Sequence, residues 1–390
     1  MRIAYLSCDR GVSVSGSNGA ATHIRELVNA LVERGAEVKV LAARAATGGG
    51  AQALACEVID VDTEAFLHRL RRGTARMEGA ASAPRTRASE VHGLLLNQSV
   101  AEHLDALYAR WPFDLIFERY SLWSYAGLRF ARRRGLPFLL EVNAPLVAQQ
   151  EEYRALFNGA TAQALEELLL AGADRVIVPS GVLAAYVAER GGRPRRVRVI
   201  PCGVNRAIFF PTWRPIQARD GAHEFVVGFL GSLKQWHGVE ILLEAFRQLR
   251  ERSPAYRFIT ITGEVPLRDV PRWLERMDVG LAPYPPLPLF YFSPLKVLEY
   301  AASGVPFVAS ASGQIAEIFA HETSAMLHAP GNVAEVVEHV ERLRASPELR
   351  MRLARAARRA VKKVYTWDRH AAHLLAIAET ARRRYAGARR

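Results

Sequence analysis

The sequence predicts an α/β protein of two domains, each built around a parallel β-sheet. Short apolar runs alternate with segments of helical periodicity along the whole chain, which is the pattern of βαβ units. At 390 residues the chain also exceeds the ~150 residues typical of one domain, so two or three domains are expected. A polar, proline-containing stretch at 211–224 divides the alternation into two halves and predicts a linker.

In the first half, apolar runs predict the strands RIAYLS, AEVKVLAA, EVIDV, DLIFE, FLLEV, RVIVPS and VRVIP. Helical periodicity between them predicts helices at 22–34, 98–110, 125–134 and 148–171. The stretch 69–87 is rich in Gly, Ser, Ala, Pro and Arg, and we expect it to interrupt this pattern with a partly helical, mobile segment.

In the second half, the predicted strands are FVVGFLGS, RFITITG, VGLAPY and PFVAS, and the predicted helices are 239–252, 270–277, 294–303 and 332–345. From 349 onward the pattern is almost entirely helical, with a restart at TWDRH for which Thr366 is the candidate N-cap. Two doubly wound halves predict a ligand between them, beyond the carboxyl ends of the strands.

Composition and cysteine usage exclude several classes of protein. The chain is 50% hydrophobic and 23% charged, which excludes disorder. The opening MRIAYLSCDR reaches a charge too early for a signal peptide, and no apolar run approaches the ~18–20 residues of a membrane span. Cys8, Cys56 and Cys202 lack metal-type spacing, so we expect reduced thiols, no metal site and a cytoplasmic protein.

The net charge of +13 permits two interpretations. The arginines are either solvated residues of an Ala/Arg-rich chain, or part of a surface that binds an anionic acceptor or the inner face of an anionic membrane. The sequence contains neither zinc-type spacing nor an RNA-binding aromatic signature, so we expect no nucleic-acid partner.

Three segments carry residues suited to binding phosphate. The first is the loop SVSGSNGAATHIRELVNAL, in which Gly16 and Gly19 allow close backbone approach before a helix N-terminus. Any strand-to-helix turn favours Gly, Ser and Asn, so an ordinary turn remains the alternative. The loop lacks both the dinucleotide fingerprint and the P-loop lysine.

The second segment is GFLGSLKQWHGVEILLEAF, in which a strand ends at Gly231-Ser232 and a helix begins near Gly238. Lys234 and His237 place cations beside this turn, which suits a diphosphate. The alternative is that Lys234 is a solvated loop residue and Trp236 covers the edge of the core.

The third segment, YPPLPLFYFSPLKVLEYAASGVPFVAS, is the most informative. Its prolines predict an ordered loop before a helix that begins at Ser293-Pro294, a good N-cap pair. Lys296 lies in the first turn, where a cation is unfavourable unless an anion binds. Glu299 follows on the same face and suits a ribose diol. The alternative is a surface Lys–Glu pair that contributes only about 0.3–0.5 kcal/mol.

These segments, in this order, resemble the retaining GT-B glycosyltransferases of glycosyltransferase family 4. The resemblance covers nearly the whole chain, including VIVPSGVLAAYV, VIPCGVNRAIFFP, MDVGLAPY and the closing YTWDRHAAHLL. It implies two Rossmann-like domains that face each other across a cleft: 1–207, joined by a C-terminal helix 370–390 that crosses back, and 208–369. It also implies transfer from a nucleotide-diphosphate sugar to an unidentified glycan, lipid-linked or natural-product acceptor, with no metal and no cofactor.

The resemblance also implies roles for individual residues. Glu299 would hold the ribose hydroxyls, and the backbone near Ser293 to Lys296 would meet the diphosphate. The residues expected to carry catalysis are Lys296, Glu299, Lys234, Glu141 and Asn143. Those expected to bind the donor are Gly16, Ser17, Asn18, Gly19, Gly231, Ser232, His237, Gly263, Glu264, Tyr291, Phe292, Ser293, Pro294 and Leu295. The acceptor side is assigned to His23, Glu118 and Arg119.

The chain departs from the family pattern at several of these positions. Ser232 and His237 stand where an arginine and a lysine are common, which shifts the neutralisation of the diphosphate to Lys234 and Lys296. Tyr291 replaces the first of two glutamates, and Glu141 and Asn143 stand where a histidine often follows the strand.

The run ITGEVPLRDVP also lacks a helix–strand unit that ordinarily lies beside the nucleobase, which implies either an altered base pocket or impaired donor binding. The alternatives to a glycosyltransferase are a nucleotide-sugar epimerase, a non-catalytic protein that binds nucleotide weakly, and a nucleic-acid-binding protein.

Overall fold

The computed structural model describes residues 1–16, 18–45, 54–61, 85–210, 224–231, 233–261, 265–291 and 293–388. These residues form two compact units, Met1–Ile200 with Ala371–Arg390, and Pro201–His370. Both units are parallel α/β structures, which confirms the predicted fold class. The predicted linker, apart from Glu224, and the part of the 69–87 segment before Arg85 lie outside the described residues.

The first unit contains a parallel seven-stranded sheet of order β3-β2-β1-β4-β5-β6-β7. Every strand predicted in the first half is present. The strands are β1 Arg2–Ser7, β2 Glu37–Ala42, β3 Glu57–Asp60, β4 Leu115–Arg119, β5 Phe138–Glu141, β6 Arg175–Val178 and β7 Val197–Val199. The strand order reverses between β1 and β4, and in open α/β sheets ligands bind at the carboxyl ends of the strands at such a point.

Helices flank this sheet, and two of the predicted helices differ from the structure. The helices are α1 Gly19–Glu33, α2 Arg85–Arg110, α3 Ala126–Arg134, α4 Leu146–Tyr153, α5 Gly159–Gly172 and α6 Gly181–Glu189. The helix predicted at 98–110 begins earlier, at Arg85. The single helix predicted at 148–171 is wrong, because Arg154 has extended backbone angles (φ −148°, ψ 167°) that end α4 before α5 begins.

The second unit contains a parallel five-stranded sheet of order β12-β11-β10-β8-β9. Its strands are β8 Phe225–Leu230, β9 Tyr256–Ile261, β10 Val279–Ala282, β11 Phe307–Ser310 and β12 Met326–His328. The short strand β12 was missed, since three residues give little periodicity. In the described part of the chain no strand lies between β9 and β10, and β9 forms one edge of the sheet.

The helices of the second unit are α7 Arg206–Phe209, α8 Val239–Arg252, α9 Val270–Leu274, α10 Leu295–Ser303, α11 Gly313–Ile318, α12 Val333–Ala345 and α13 Pro347–Val364. The bounds predicted for α8 are confirmed. The helix α9 is shorter than predicted, because Glu275–Met277 forms a turn that leads into β10, with Met277 N donating to Leu274 O at 3.0 Å.

The C-terminal helix, α14 Trp367–Ala388, belongs to the first unit from Ala371 onward, as predicted. Thr366 Oγ1 accepts from Arg369 N at 3.4 Å, which confirms Thr366 as its N-cap. Tyr385 Oη donates to Asp174 Oδ2 at 2.9 Å and accepts from Arg132 Nη1 at 2.7 Å. Among the helices in the described ranges, none is long and apolar enough to cross a membrane.

Candidate active site

The helix α10 carries the two residues on which the donor-site prediction depends, and a buried tyrosine fixes its position. Tyr300 Oη accepts from Leu230 N at 2.8 Å and donates to Leu281 O at 3.2 Å. These bonds join α10 to the ends of β8 and β10. The helix stops at Gly304, whose φ of 76° favours glycine. The residues of α10 therefore lie at the carboxyl edge of the second sheet.

Ser293 is not the N-cap of α10. Its Oγ donates to Gln314 Oε1 at 2.6 Å and accepts from Cys202 N at 3.2 Å, so it joins the proline-rich loop to neighbouring segments instead. The N-cap position belongs to Pro294, which makes no side-chain cap bond, and Leu295 is the first helical residue. The prediction of a serine cap failed because these partners come from distant parts of the chain.

Lys296 is buried, with 8% of its surface exposed. The interpretation of this lysine as part of a surface ion pair is therefore wrong. Its Nζ lies 4.1 Å from the centre of the Phe229 ring and 5.2 Å from that of Tyr284. Among the described residues Nζ has no hydrogen-bond partner. Burial lowers the pKa of Lys296 to about 7, and the negative charge of Glu299 partly opposes this.

Gly231 leaves the space in which the Lys296 amine lies. A Cβ at this position would be 3.0 Å from Nζ, and the φ of 138° favours glycine as well. His237 belongs to the same group, since its ring centre lies 6.0 Å from that of Tyr284 and 6.5 Å from that of Phe229. The Lys296 amine at the start of α10 thus lies beside aromatic rings from the end of β8 and from neighbouring segments.

The remaining donor-site candidates differ in how far their side chains are buried. Lys234 is exposed, with its Nζ 6.0 Å from the Trp236 ring, as expected for a solvated loop residue. Glu299 is half-buried on α10, and Tyr291 is buried in the loop before it. Five candidates lie outside the described residues: Ser17, Ser232, Gly263, Glu264 and Phe292.

The glycine loop of the first unit forms the start of α1. Asn18 accepts from Ala21 N through its side chain at 2.9 Å and so acts as the N-cap. Arg25 Nη1 donates to Gly16 O at 2.8 Å, which holds the loop against the helix. Apart from its chain neighbours and the nearby backbone of α1, no atom of the described residues lies within 4 Å of where a Cβ of Gly19 would be.

A charged cluster lies at the carboxyl ends of β1, β4 and β5. His23 Nε2 lies 2.7 Å from Glu141 Oε1. Tyr5 Oη donates to Glu141 Oε2 at 3.4 Å, and Arg119 Nη1 is 3.8 Å from the same oxygen. Glu141 is only 1% exposed. Its carboxylate is thus held by three neighbours.

The strand register places further polar groups beside Glu141. Ser7 pairs with Arg119, and Arg119 pairs with Glu141, so the three side chains point to one face of the sheet. Ser7 Oγ, Arg119 Nη1 and Asn143 Nδ2 are buried and have no hydrogen-bond partner in the described part of the chain. Tyr5 and Ser7 were missed by sequence reasoning, although their places at the end of a predicted strand were a usable signal.

Glu118 and Arg119 do not form a pair. They are adjacent in β4, so their side chains point to opposite faces. Glu118 is fully buried and accepts from Ser124 Oγ at 2.6 Å. Burial raises the pKa of Glu118 to about 7, against the opposing effect of the Ser124 bond. The placement of Glu118 on the acceptor side, with Arg119, is not supported by this geometry.

The described ranges contain no group of three or more His, Cys, Asp or Glu side chains arranged to hold a metal ion.

The two sheets, their topology and the polar strand ends define an α/β protein of the GT-B type. The sucrose-phosphate synthase of Thermosynechococcus elongatus aligns with a TM-score of 0.72 and 19% identity, over 97% of this chain and 98% of that one. Anabaena HepE, in complex with UDP and glucose, aligns with a TM-score of 0.65 and 16% identity, over 97% and 100% of the two chains.

Sequence comparison narrows the class further. Residues 18–203 match the glycosyl transferase 4-like domain, and residues 226–376 match a glycosyl transferase-like model. The D-inositol 3-phosphate glycosyltransferase of Pseudarthrobacter chlorophenolicus is 27% identical, covering 99% of this chain and 97% of its own. An MMP alpha-(1->4)-mannosyltransferase of Mycolicibacterium hassiacum is 24% identical, covering 70% and 72%. Together these findings support a GT-B glycosyltransferase of the family 4 type.

Proposed function

We propose that the protein is a retaining glycosyltransferase that uses a nucleotide-diphosphate sugar bound to the second unit. The observation that carries this proposal is the buried amine of Lys296, which has no hydrogen-bond partner among the described residues and lies at the carboxyl edge of the sheet. A buried amine without a partner is costly, and a ligand oxygen would remove that cost. The HepE structures, which contain UDP or UDP-glucose, support a donor of this class.

In this proposal the start of α10 stabilises the leaving diphosphate. The Lys296 ammonium and the free backbone N–H groups of the first turn face charge that grows as the glycosidic bond breaks. Glu299, one helical turn later, accepts hydrogen bonds from the ribose hydroxyls. Gly231 permits close approach of the ligand to the end of β8. These groups neutralise the charge of the leaving diphosphate, and we propose a reaction that uses neither a metal nor a cofactor.

The strand-end cluster of the first unit is proposed to bind sugar or acceptor hydroxyls. Arg119 and Asn143 supply donors, while Glu141 holds Arg119 in place and keeps its charge neutralised. Both oxygens of Glu141 are engaged by His23 and Tyr5, which leaves it poorly suited to be a nucleophile. We therefore propose departure and attack on the same face of the sugar, with retention of configuration.

We propose a glycan, lipid-linked or natural-product acceptor for this chain. The name of one relative, D-inositol 3-phosphate glycosyltransferase, includes a phosphorylated inositol. We further propose that the first unit binds peripherally to an anionic membrane surface through its arginines.

Variants of α10 test the proposed activity. Lys296→Met and Glu299→Gln are each expected to lower turnover by about 100-fold, because each removes an interaction with the donor. Purified protein is incubated with UDP-glucose, UDP-N-acetylglucosamine or GDP-mannose and a panel of polyol, sugar phosphate and lipid acceptors, and products are measured by mass spectrometry. Lys362→Met, an exposed change on α13, is the control.

The outcomes of this assay distinguish the proposed function from its alternatives. Wild-type rates in both α10 variants contradict the assignment of the site. Nucleotide binding without turnover of any donor favours the alternative, a non-catalytic protein. The observation behind that alternative is that β9 is an edge strand and that no strand lies between β9 and β10 in the described chain. Release of free nucleotide only in the presence of an acceptor distinguishes transfer from epimerisation.

A further inference from the structure

The amine of Lys296 lies beside three other segments of the second unit. Phe229 and Gly231 come from the end of β8, His237 from the turn Gln235–His237, and Tyr284 follows β10. The centres of the Phe229 and Tyr284 rings lie 4.1 and 5.2 Å from Nζ. None of these contacts supplies a hydrogen-bond acceptor to Nζ, and none is found elsewhere among the described residues.

This environment favours the neutral amine over the ammonium. An ammonium offers three donors and requires acceptors or water, whereas aromatic faces compensate only part of its lost hydration. The burial that follows from this geometry lowers the pKa of Lys296 to about 7. The protonation state of Lys296 can therefore change when a ligand binds beside the amine.

The other titratable groups around Lys296 do not prevent burial from lowering its pKa. Glu299, on the same helix, is the carboxylate that raises the pKa, and it does not offset the burial. Burial raises the pKa of Tyr284 and of Tyr300, so both stay neutral near pH 7 to 9. The His237 ring lies 6.0 Å from that of Tyr284 and provides no carboxylate to pair with the amine.

We propose that Lys296 is stored as a neutral amine and becomes an ammonium when the terminal (β) phosphate of a nucleoside diphosphate, or the same phosphate of its sugar conjugate, binds, so that donor binding takes up one proton. The proton comes from the solvent buffer, and the phosphate oxygens become its hydrogen-bond acceptors. Lys296 is then the residue that selects a diphosphate over a monophosphate, because only the terminal phosphate stabilises the added charge. This inference rests on the proposed donor site.

Calorimetry on the full chain tests the proposal. UDP, GDP and ADP are titrated first, and the tightest binder is titrated again at pH 8 in HEPES and in Tris, whose ionisation enthalpies differ. The expected result is a buffer-dependent heat that corresponds to uptake of close to one proton. Affinity is expected to fall by about tenfold per pH unit above pH 7. The matching nucleoside monophosphate is expected to bind without proton uptake.

Variants isolate the residue responsible. Lys296→Arg is expected to bind without proton uptake, since its guanidinium stays charged. Lys362→Met removes an exposed lysine of α13, outside the proposed site, and is expected to keep the uptake. In the nucleotide-free protein, Lys296→Met is expected to raise the Tm at pH 7, and the gain is expected to shrink by pH 10, where the wild-type amine is neutral.

The possible failures are distinguishable. Tight binding of a nucleoside diphosphate with buffer-independent heat and pH-independent affinity would overturn this inference and leave the proposed function intact. Absence of binding by all three nucleotides would overturn both. Unchanged proton uptake in Lys296→Arg would assign the proton to another group and also reject the inference.

Discussion

At the scale of single residues, burial decides what each charged side chain can do. Lys296 and Glu118 are both buried, and burial moves the pKa of each toward 7 from opposite directions. Lys296 lacks a hydrogen-bond partner in the described chain, while Glu118 keeps one bond, from Ser124. Glu141 is equally buried but fully engaged by its neighbours. The three buried side chains therefore differ in their hydrogen-bond partners rather than in their burial.

Glu118→Gln is predicted to stabilise the protein at alkaline pH. The folded-state pKa of Glu118 is raised from 4.5 to about 7, so the folded state binds more protons than the unfolded state between these values. The stability contributed by this group is therefore present below pH 4.5 and lost as pH rises through 7. At about 1.4 kcal/mol per pKa unit, glutamine avoids a loss on the order of 3 kcal/mol at pH 8.5.

Thermal unfolding at pH 5 and pH 8.5 measures this effect. The Tm of Glu118→Gln should exceed that of the wild type at pH 8.5, and the gain should be much smaller at pH 5. Glu102→Gln, at an exposed position of α2, serves as the control. A gain for Glu118→Gln that is equal at both pH values would contradict a buried, titrating carboxyl.

At the scale of elements, the position of α10 depends on contacts that no local pattern specifies. Tyr300 joins the helix to the ends of β8 and β10 through its hydroxyl. Ser293, which sequence reasoning placed at the helix cap, binds Gln314 and Cys202 N instead. The helix that presents Lys296 and Glu299 is therefore held by long-range hydrogen bonds as well as by apolar packing.

Tyr300→Phe is predicted to weaken both stability and donor binding. The change keeps the ring but leaves the buried Leu230 N without its acceptor, which costs about 1–3 kcal/mol. Urea unfolding measures the loss of stability, and titration with the best-binding nucleoside diphosphate measures the loss of affinity. Tyr385→Phe removes a hydroxyl from the first unit and should leave nucleotide affinity unchanged. Equal affinities in Tyr300→Phe and the wild type would show that α10 does not need this anchor.

At the scale of the whole molecule, several arginines of the first unit lie close to one another. Burial, followed by the nearby Arg384, Arg198 and Arg196, lowers the pKa of Arg175. Arg198 and Arg384 are exposed, on the edge strand β7 and on α14. On α8 of the second unit, by contrast, Arg247 is paired with Glu244 and Glu251. The arginines near β7 are thus the surface on which an anionic partner would reduce mutual repulsion.

The double variant Arg198→Gln with Arg384→Gln is predicted to bind anionic vesicles about 30-fold more weakly, because each arginine near an anionic surface contributes about 1 kcal/mol. Co-sedimentation with phosphatidylglycerol vesicles at low and high salt measures this binding, and phosphatidylcholine vesicles give the background. Arg247→Gln is the matched control. Wild-type binding that is absent, or insensitive to salt, would remove the membrane from the proposal.

The amino-acid sequence by itself determined the fold class, because alternating apolar runs and helical periodicity reflect which faces are buried. It also determined most strand positions, the bounds of α8 and the choice of Lys296 as a candidate, since a cation in a first helical turn is locally unfavourable. Only the tertiary structure decided that Lys296 is enclosed by aromatic rings, and that Glu141 pairs with Arg119 while Glu118 lies on the opposite face. Burial and strand register join residues far apart in sequence, and local patterns carry no information about those contacts.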